Sequence, residues 1–398
     1  MHTVAIKDIF EFVRNGLSIK QSDTASGFPI TRIETIWNSS IDVNRFGYAD
    51  IEDIEKYGGY LLECGDILMT HINSLKHLGK CAIYEGTPKQ LIHGMNLLNL
   101  RPNRKISLPK YLHFYLNSGY FKNQVQKISN QSVNQASFSS GNLKKLKIPL
   151  PPLPEQQKIA SILDAADNLR QKDQQLIEKY TALSQSLFLE MFGDPEINLM
   201  DWEKLKLSEL TSFENGDRSS NYPSGNDIKS KGILFLSTKN ISNDTLNLNV
   251  TQYISEDKFS SLSRGKAKKG DLLITLRGTL GSCCIFNSSY ETAFINAQIM
   301  IIRANQQISS VYLHSLITNK QFNRMLQAIG RGAAVPQLTA SQLSNLKIPL
   351  PSIELQNQFA ERIQSIEAQK QLALASLEKS EALFNSLLQR AFKGELTV

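Results

Sequence analysis

The chain has 398 residues, 41% of them hydrophobic and 20% charged, and carries a formal net charge of +7. That length exceeds what one core comfortably fills, so two or three domains are expected, and the composition excludes a disordered or fibrous chain. The positive balance leans toward an acidic partner such as nucleic acid. Neither a basic-plus-apolar leader nor an apolar run near the ~18 residues of a membrane helix is visible, so a cytoplasmic protein is expected. Cys64, Cys81, Cys283 and Cys284 form no C-x-x-C pair, and they read as buried small apolar residues in a reducing compartment.

Taken in chain order, the elements occur twice. Asn15-Gly16 returns as Asn215-Gly216, GDILMT (Gly65–Thr70) as GDLLIT (Gly270–Thr275), and Gly79-x-Cys81 as Gly281-x-Cys283. Each glycine-led hexapeptide reads as a turn entering a buried strand. YLHFYLNSGYF (Tyr111–Phe121) pairs with YLHSLITNKQF (Tyr312–Phe322), and both have the period of an amphipathic helix. LKIPLP stands at Leu146–Pro151 and again at Leu346–Pro351. Its prolines force extended backbone, and Pro154 suits a first helical turn, so the motif reads as a stiff exit from a globular domain.

After each LKIPLP the period turns helical, over about 154–192 and 354–392. The first segment predicts an inward stripe of Ile162, Ala166, Leu169, Leu176, Tyr180, Leu183 and Leu187, interrupted by Asp173. The second predicts Phe359, Ile363, Ile366, Ala373, Leu377, Phe384 and Leu387, interrupted by Lys370. Such helices would be roughly 58 Å long, and stripes so narrow call for a helical partner. The expected architecture is therefore a pseudo-twofold internal repeat. Globular domains at 1–152 and 193–352 alternate with long helices at 153–192 and 353–398, which pair as an intramolecular antiparallel coiled coil. Leu189, Met191 and Phe192, near a helix end, are candidates either for a protein-docking surface or for burial against the opposite half.

Catalytic signatures are missing: there is no nucleotide-binding loop, dinucleotide fingerprint, H-E-x-x-H, G-x-S-x-G, or N/D-P-P-Y tetrapeptide. His113 and His314 hold equivalent helical positions and read as packing or capping residues rather than metal ligands. Any catalysis would belong to a partner. The loops instead carry side chains able to touch DNA. In the first half these are Lys20, Arg32, Arg45, His71, Asn73, Lys76 and Lys80, with His77 beside them. In the second they are Arg218, Lys239, Asn240, Arg264, Lys266, Lys268, Arg277 and Arg331, with Lys269. The lysines suit phosphate contact; Arg277, Lys239 and Asn240 suit base edges.

LKIPLPPLPEQQKIASIL (Leu146–Leu163), its near copy LKIPLPSIELQNQFAERI (Leu346–Ile363) and the paired glycine-led strands resemble the specificity subunit of type I restriction–modification enzymes. The resemblance spans essentially the whole chain. It implies two mixed α/β target-recognition domains with twisted sheets, each reading half of a bipartite double-stranded DNA sequence. It also implies that two modification (methyltransferase) subunits dock on the helices, and that restriction motor-nuclease subunits add cleavage. S-adenosylmethionine, ATP and magnesium would sit on those partners only, with no cofactor or metal here. Two departures stand out. QSVNQASFSSGNLKKL lacks the Gly and Pro of RGAAVPQLTASQLSNL, so the loop before the first LKIPLP is expected to be built differently. PSIELQ replaces PPLPEQ at the second helix start. The alternatives kept open are a coiled-coil scaffold without DNA specificity and the specificity module of another DNA-modification system.

Overall fold

The computed structural model describes residues 2–24, 26–133, 135–330 and 336–396. The chain divides into two compact units, one formed by Met1–Gln174 with Ala375–Val398 and the other by Gln175–Leu374. Each contains a four-stranded antiparallel sheet with the same strand order. In unit 1 the order is Cys81–Ile83, Ile67–Thr70, Leu97–Pro102, Phe10–Asn15. In unit 2 it is Cys283–Ile285, Leu272–Thr275, Ile299–Ala304, Thr211–Asn215. The hexapeptide strands are buried on both faces, which is why they read as unbroken apolar runs.

The Gly-Asp pair of each hexapeptide has a defined task. Gly65 and Gly270 turn the chain at φ of 96° and 90°, a region that disfavours other residues. Buried Asp66 then accepts the Glu63 N–H (3.0 Å) and a bidentate pair from Arg101 Nε and Nη2 (both 2.8 Å). Asp271 likewise accepts from Lys268 N–H (2.8 Å) and from Arg303 Nε and Nη2 (2.8 and 2.7 Å). The recurring Asn-Gly marks a close approach: a Cβ on Gly16 would lie 2.0 Å from the Gly94 carbonyl oxygen, and one on Gly216 would lie 2.4 Å from that of Asn296.

The helical stretches each break in the middle, giving Pro109–Asn117 with Gly119–Lys127, and Ser310–Thr318 with Lys320–Gly330. Ser118 and Asn319 cause the break, since their side chains accept N–H groups of the following turn instead of continuing the helix. On the first helix of each pair, the His113 Nε2 donates to the Ser39 carbonyl (3.0 Å) and the His314 Nε2 to those of Asp244 and Cys283 (3.0 and 3.1 Å). Ser39 and Asp244 sit at positive φ in two-residue hairpins. These histidines are docking posts for a hairpin in each unit.

LKIPLP closes each globular domain. Lys147–Pro149 pairs antiparallel with Thr3–Ala5, and Lys347–Pro349 with Lys204–Lys206, so the domain's last strand lies against its first. The proline carbonyls take partners from the helices. Tyr111 Oη donates to Pro149 O (2.9 Å) and Tyr312 Oη to Pro349 O (2.7 Å). Gln156, fully buried, donates to Pro151 O (2.7 Å) and Ile106 O (2.9 Å) and accepts from Leu108 N–H (2.8 Å). Gln356 repeats this with Pro351 O, Gln307 O and Ser309 N–H. The departure at PSIELQ therefore leaves the helix start unchanged, because the glutamine is retained.

The long helices run over Leu153–Phe192 and Ile353–Lys393. In unit 1 their segments pair antiparallel: Asp173 accepts from Ser376 (3.0 Å) and Ser380 (2.8 Å), Arg170 stacks on Phe384 (5.1 Å), and Ile159, Ala160 and Leu163 share a core with Ala391 and Phe392. In unit 2, Phe188 and Phe192 pack on Phe359 and Tyr312. The second helix keeps the expected stripe inward, with Phe359, Ile363 and Ala373 buried and Ile366, Leu377, Phe384 and Leu387 half-buried. The first keeps Ala166, Asp173, Tyr180 and Leu187 inward, but their seam partners are Leu163, Arg170, Ile177 and Ser184. Leu169, Leu176 and Leu183 remain 45%, 40% and 48% exposed. Arg170 takes the seam position beside Leu169 and stacks on Phe384. Phe192 is buried in unit 2 and Met191 packs beside it, which removes both from the docking candidates, whereas Leu189 stays 40% exposed. All four cysteines are free, and Cys64 is exposed where burial was expected. Among the described residues no helix is long and apolar enough to cross a membrane.

Gln156→Ala would strand one N–H and two carbonyls, and is expected to destabilise unit 1 by about 2–4 kcal/mol. Chemical denaturation checks this against Gln157→Ala on the exposed side of the same turn, expected to shift stability by less than about 0.5 kcal/mol.

Candidate nucleic-acid interface

Both units present a loop at the same place, between the hexapeptide strand and its neighbouring edge strand. In unit 1 the loop is 71–80. The terminal threonine of the strand clasps it: Thr70 Oγ1 donates to His77 O (2.7 Å) and accepts Lys80 N–H (3.0 Å). In unit 2 the loop is 276–282, and Thr275 Oγ1 donates to Thr279 O and accepts Ser282 N–H (3.1 Å). The shared T of GDILMT and GDLLIT thus fixes both loops through one hydroxyl.

The cations differ. In unit 1, Lys122 and Lys76 are close enough to act on Lys80, and Lys80 and Lys76 on His77. Burial, then the charges of Lys122 and Lys76, lower the Lys80 pKa, and Lys80 foremost lowers that of His77. A cluster of like charge, which also disfavours a proton on His77, is what a phosphate would relieve. Lys122 was missed by sequence reading because it lies on the helix Gly119–Lys127, far from the loop in sequence.

Other first-half candidates separate into two groups. Lys20 is exposed. Asn73 is half-buried on the short strand Ile72–Asn73, pairs with Ala136–Ser137, and accepts Ser74 N–H through Oδ1 (2.7 Å). His71, expected at the surface, is buried edge-on against Phe138, and desolvation lowers its pKa, so it is a packing residue. Arg32 spends its guanidinium on Gln21 (2.7 Å), Asp23 (2.6 Å) and Ser22 O (3.1 Å). Arg45 pairs with Asp42 (2.8 Å) and stacks on Trp37 (4.1 Å). Both arginines brace their own loops.

In unit 2 the arginines Arg218 and Arg277 approach one turn. Arg218 Nη2 donates to Ala297 O (3.0 Å), while Leu276 N–H, next to Arg277, donates to Gln298 O (2.8 Å), so the two flank one turn. Arg264 joins Arg218 through Asp217, whose carboxylate is held below its usual range first by Ser219, then by Ser263 and Arg264. Arg277 is exposed and donates through Nε (3.1 Å) and Nη2 (2.8 Å) to Gln337 Oε1. Lys239 and Lys268 are exposed. Lys266 is half-buried with its ammonium 4.8 Å from the Phe259 ring centre, and Lys269 pairs with Glu291 (2.5 Å). Asn240, expected to read bases, is buried. It accepts Ser237 N–H (2.9 Å) and donates to Asn247 O (3.0 Å) and Val250 O (2.9 Å), so no polar atom is left to face a ligand. Arg331 lies outside the described residues.

The segments before LKIPLP also differ, as expected. In unit 1 Ala136–Ser137 is the middle strand of a small sheet, whereas in unit 2 the equivalent place holds a single bridge between Arg277 and Gln337.

The family model described as the type I restriction modification DNA specificity domain matches residues 1–179 and again 200–381. A Methanocaldococcus jannaschii protein named as a type I restriction enzyme MjaX specificity subunit is 33% identical, covering 99% of this chain and 93% of its own length. The EcoBI specificity subunit of Escherichia coli is 26% identical over 67% of this chain and 62% of its own. Among solved structures, the S subunit of the type I restriction-modification system of M. genitalium superposes with a TM-score of 0.63 at 16% identity, covering 98% of this chain and 96% of that one. With both copies of the domain in place, the chain belongs to the family of type I restriction–modification specificity subunits.

Proposed function

We propose that this chain is the non-catalytic subunit that gives a type I restriction–modification complex its DNA sequence specificity. The observation that carries the proposal is one threonine-clasped loop built twice on the same sheet and armed differently. Lys76 and Lys80 lie on it in unit 1, with Lys122 acting on Lys80 from a neighbouring helix, and Arg277 lies on it in unit 2. Equal frames with unequal loops suit two different half-sites of a bipartite double-stranded target. Lysine clusters hold phosphate without regard to sequence, while a planar guanidinium discriminates base edges.

The partners follow from the same reading. Two modification subunits supply the adenine methyltransferase site with S-adenosylmethionine, and restriction subunits supply the ATP- and magnesium-dependent motor-nuclease. This chain holds none of those cofactors and works in the cytoplasm. Leu169, Leu176, Leu183 and Leu189 on the first long helix, and Leu372 and Leu374 on the second, are exposed apolar residues suited to docking the modification subunits.

The deciding experiment mixes the chain with modification subunits and a genomic DNA library. Methylation of adenines within one bipartite sequence is expected, and methylation absent or scattered without sequence preference overturns the reading. Two variants divide the labour. Lys76→Ala with Lys80→Ala is expected to weaken retention on cognate and random duplexes alike and to reduce the salt slope by about 2. Arg277→Ala is expected to lower cognate binding by roughly tenfold while leaving random-duplex retention nearly unchanged. Competition binding over a salt series measures both.

A further inference from the structure

Arg277 and Gln337 are 60 residues apart in sequence and joined in space. They face each other across an antiparallel bridge, flanked by hydrogen bonds from Leu276 N–H to Gln298 O (2.8 Å) and from Leu338 N–H to Leu276 O (3.0 Å). The far end of the loop is pinned as well, since Asn323 Nδ2 donates to Gly281 O (3.1 Å) and the Thr275 hydroxyl accepts Ser282 N–H. An exposed arginine is thus carried on a fixed piece of backbone.

Both side-chain bonds use the same edge of the guanidinium. Nε and Nη2 donate to the single oxygen Gln337 Oε1. The end-on edge, formed by Nη1 and the second hydrogen of Nη2, keeps its two parallel donors among the described residues. The acceptor is a neutral amide rather than a carboxylate, so the charge is held in place without being cancelled. Two parallel donors at fixed orientation match the O6 and N7 acceptors of guanine in the major groove, and no other base presents that pair. Holding the long side chain beforehand removes rotamer freedom that binding would otherwise have to remove.

We infer that Gln337 is a positioning residue that aims the free edge of Arg277 at a guanine in the half-site read by unit 2. This rests on the DNA-specificity proposal above and adds a base identity and a second residue to it. The equivalent place in unit 1 pairs Ile72 with Ser137, which offers no such fork, so the device belongs to unit 2 alone.

The test uses the full chain assembled with its modification subunits and a pool of randomised duplexes, with bound sequences read after selection. The wild-type complex is expected to enrich a bipartite motif in which one half-site fixes a guanine. Gln337→Ala and Arg277→Ala should each relax that one position by about tenfold and leave the other positions intact. Gln337→Glu, which keeps an acceptor at the same place but sets a carboxylate against the guanidinium, should keep guanine the preferred base at that position while weakening binding to the whole site. Matched thermal unfolding of Gln337→Ala and the parent shows that folding is untouched. An unchanged motif in Gln337→Ala, or equal relaxation across the whole half-site, overturns the inference and leaves the DNA-specificity proposal standing. A wild-type complex that enriches no motif overturns both.

Discussion

A proline-rich strand has carbonyls to spare and few N–H groups to offer, and the way this chain satisfies them governs its architecture. In each unit a buried glutamine and a tyrosine, both from helices, reach back to carbonyls of LKIPLP. The same glutamine closes the turn that precedes the first helix of the sheet-packing pair, through Leu108 N–H in one unit and Ser309 N–H in the other. One side chain therefore ties domain floor, exit strand and long helix together. An unsatisfied group there would carry its full desolvation cost, so the junction is rigid and not merely a linker. The prolines set the backbone, and the glutamine fixes where the helix begins.

The second constraint lies in the sheet. Asp66 with Arg101, and Asp271 with Arg303, join a turn to the next strand by bidentate contact around a buried carboxylate. Such a pair adds little net stability but penalises any register that separates its members, because an unpartnered carboxylate in that place is costly. The register of the hexapeptide strand determines which residue reaches its end. That residue is threonine in both units, and its hydroxyl clasps the loop. A frame of this kind tolerates almost any loop sequence between its two fixed ends, and so can be kept while the residues facing a ligand diverge.

The repeat, the buried strands and the second helical stripe were legible in the sequence because they depend on local pattern: glycine where φ is positive, proline where backbone is extended, apolar residues every three or four. Half of the first helix's seam was not. Leu169, Leu176 and Leu183 fit a heptad as well as Leu163, Ile177 and Ser184 do, and the seam partners lie some 200 residues away, as the bonds of Asp173 to Ser376 and Ser380 show. The loop residues were harder for a related reason. Asn, Arg and His serve equally to cap a turn or to meet a ligand, and composition does not distinguish Asn240, which closes its own loop, from Lys239 beside it, which is free to point outward. Lys122 and Gln337 were invisible because their significance comes only from a neighbour distant in sequence.

These misreadings share a direction that bears on how specificity is built. Arg32, Arg45 and His71 lie in loops of a basic protein, yet each is taken up by groups nearby in sequence or by the core beneath it. Among the candidates that remain, Lys80 has other cations as neighbours and Arg277 a neutral amide. A charge satisfied by a carboxylate has little left to give a phosphate or a base, whereas a charge surrounded by its own kind, or steadied by an uncharged acceptor, keeps its affinity for an anion or a base edge. What a side chain retains after its internal bonds are counted is the better guide to function. By that measure the loop of unit 1 retains lysine charge, and the loop of unit 2 retains one oriented guanidinium edge.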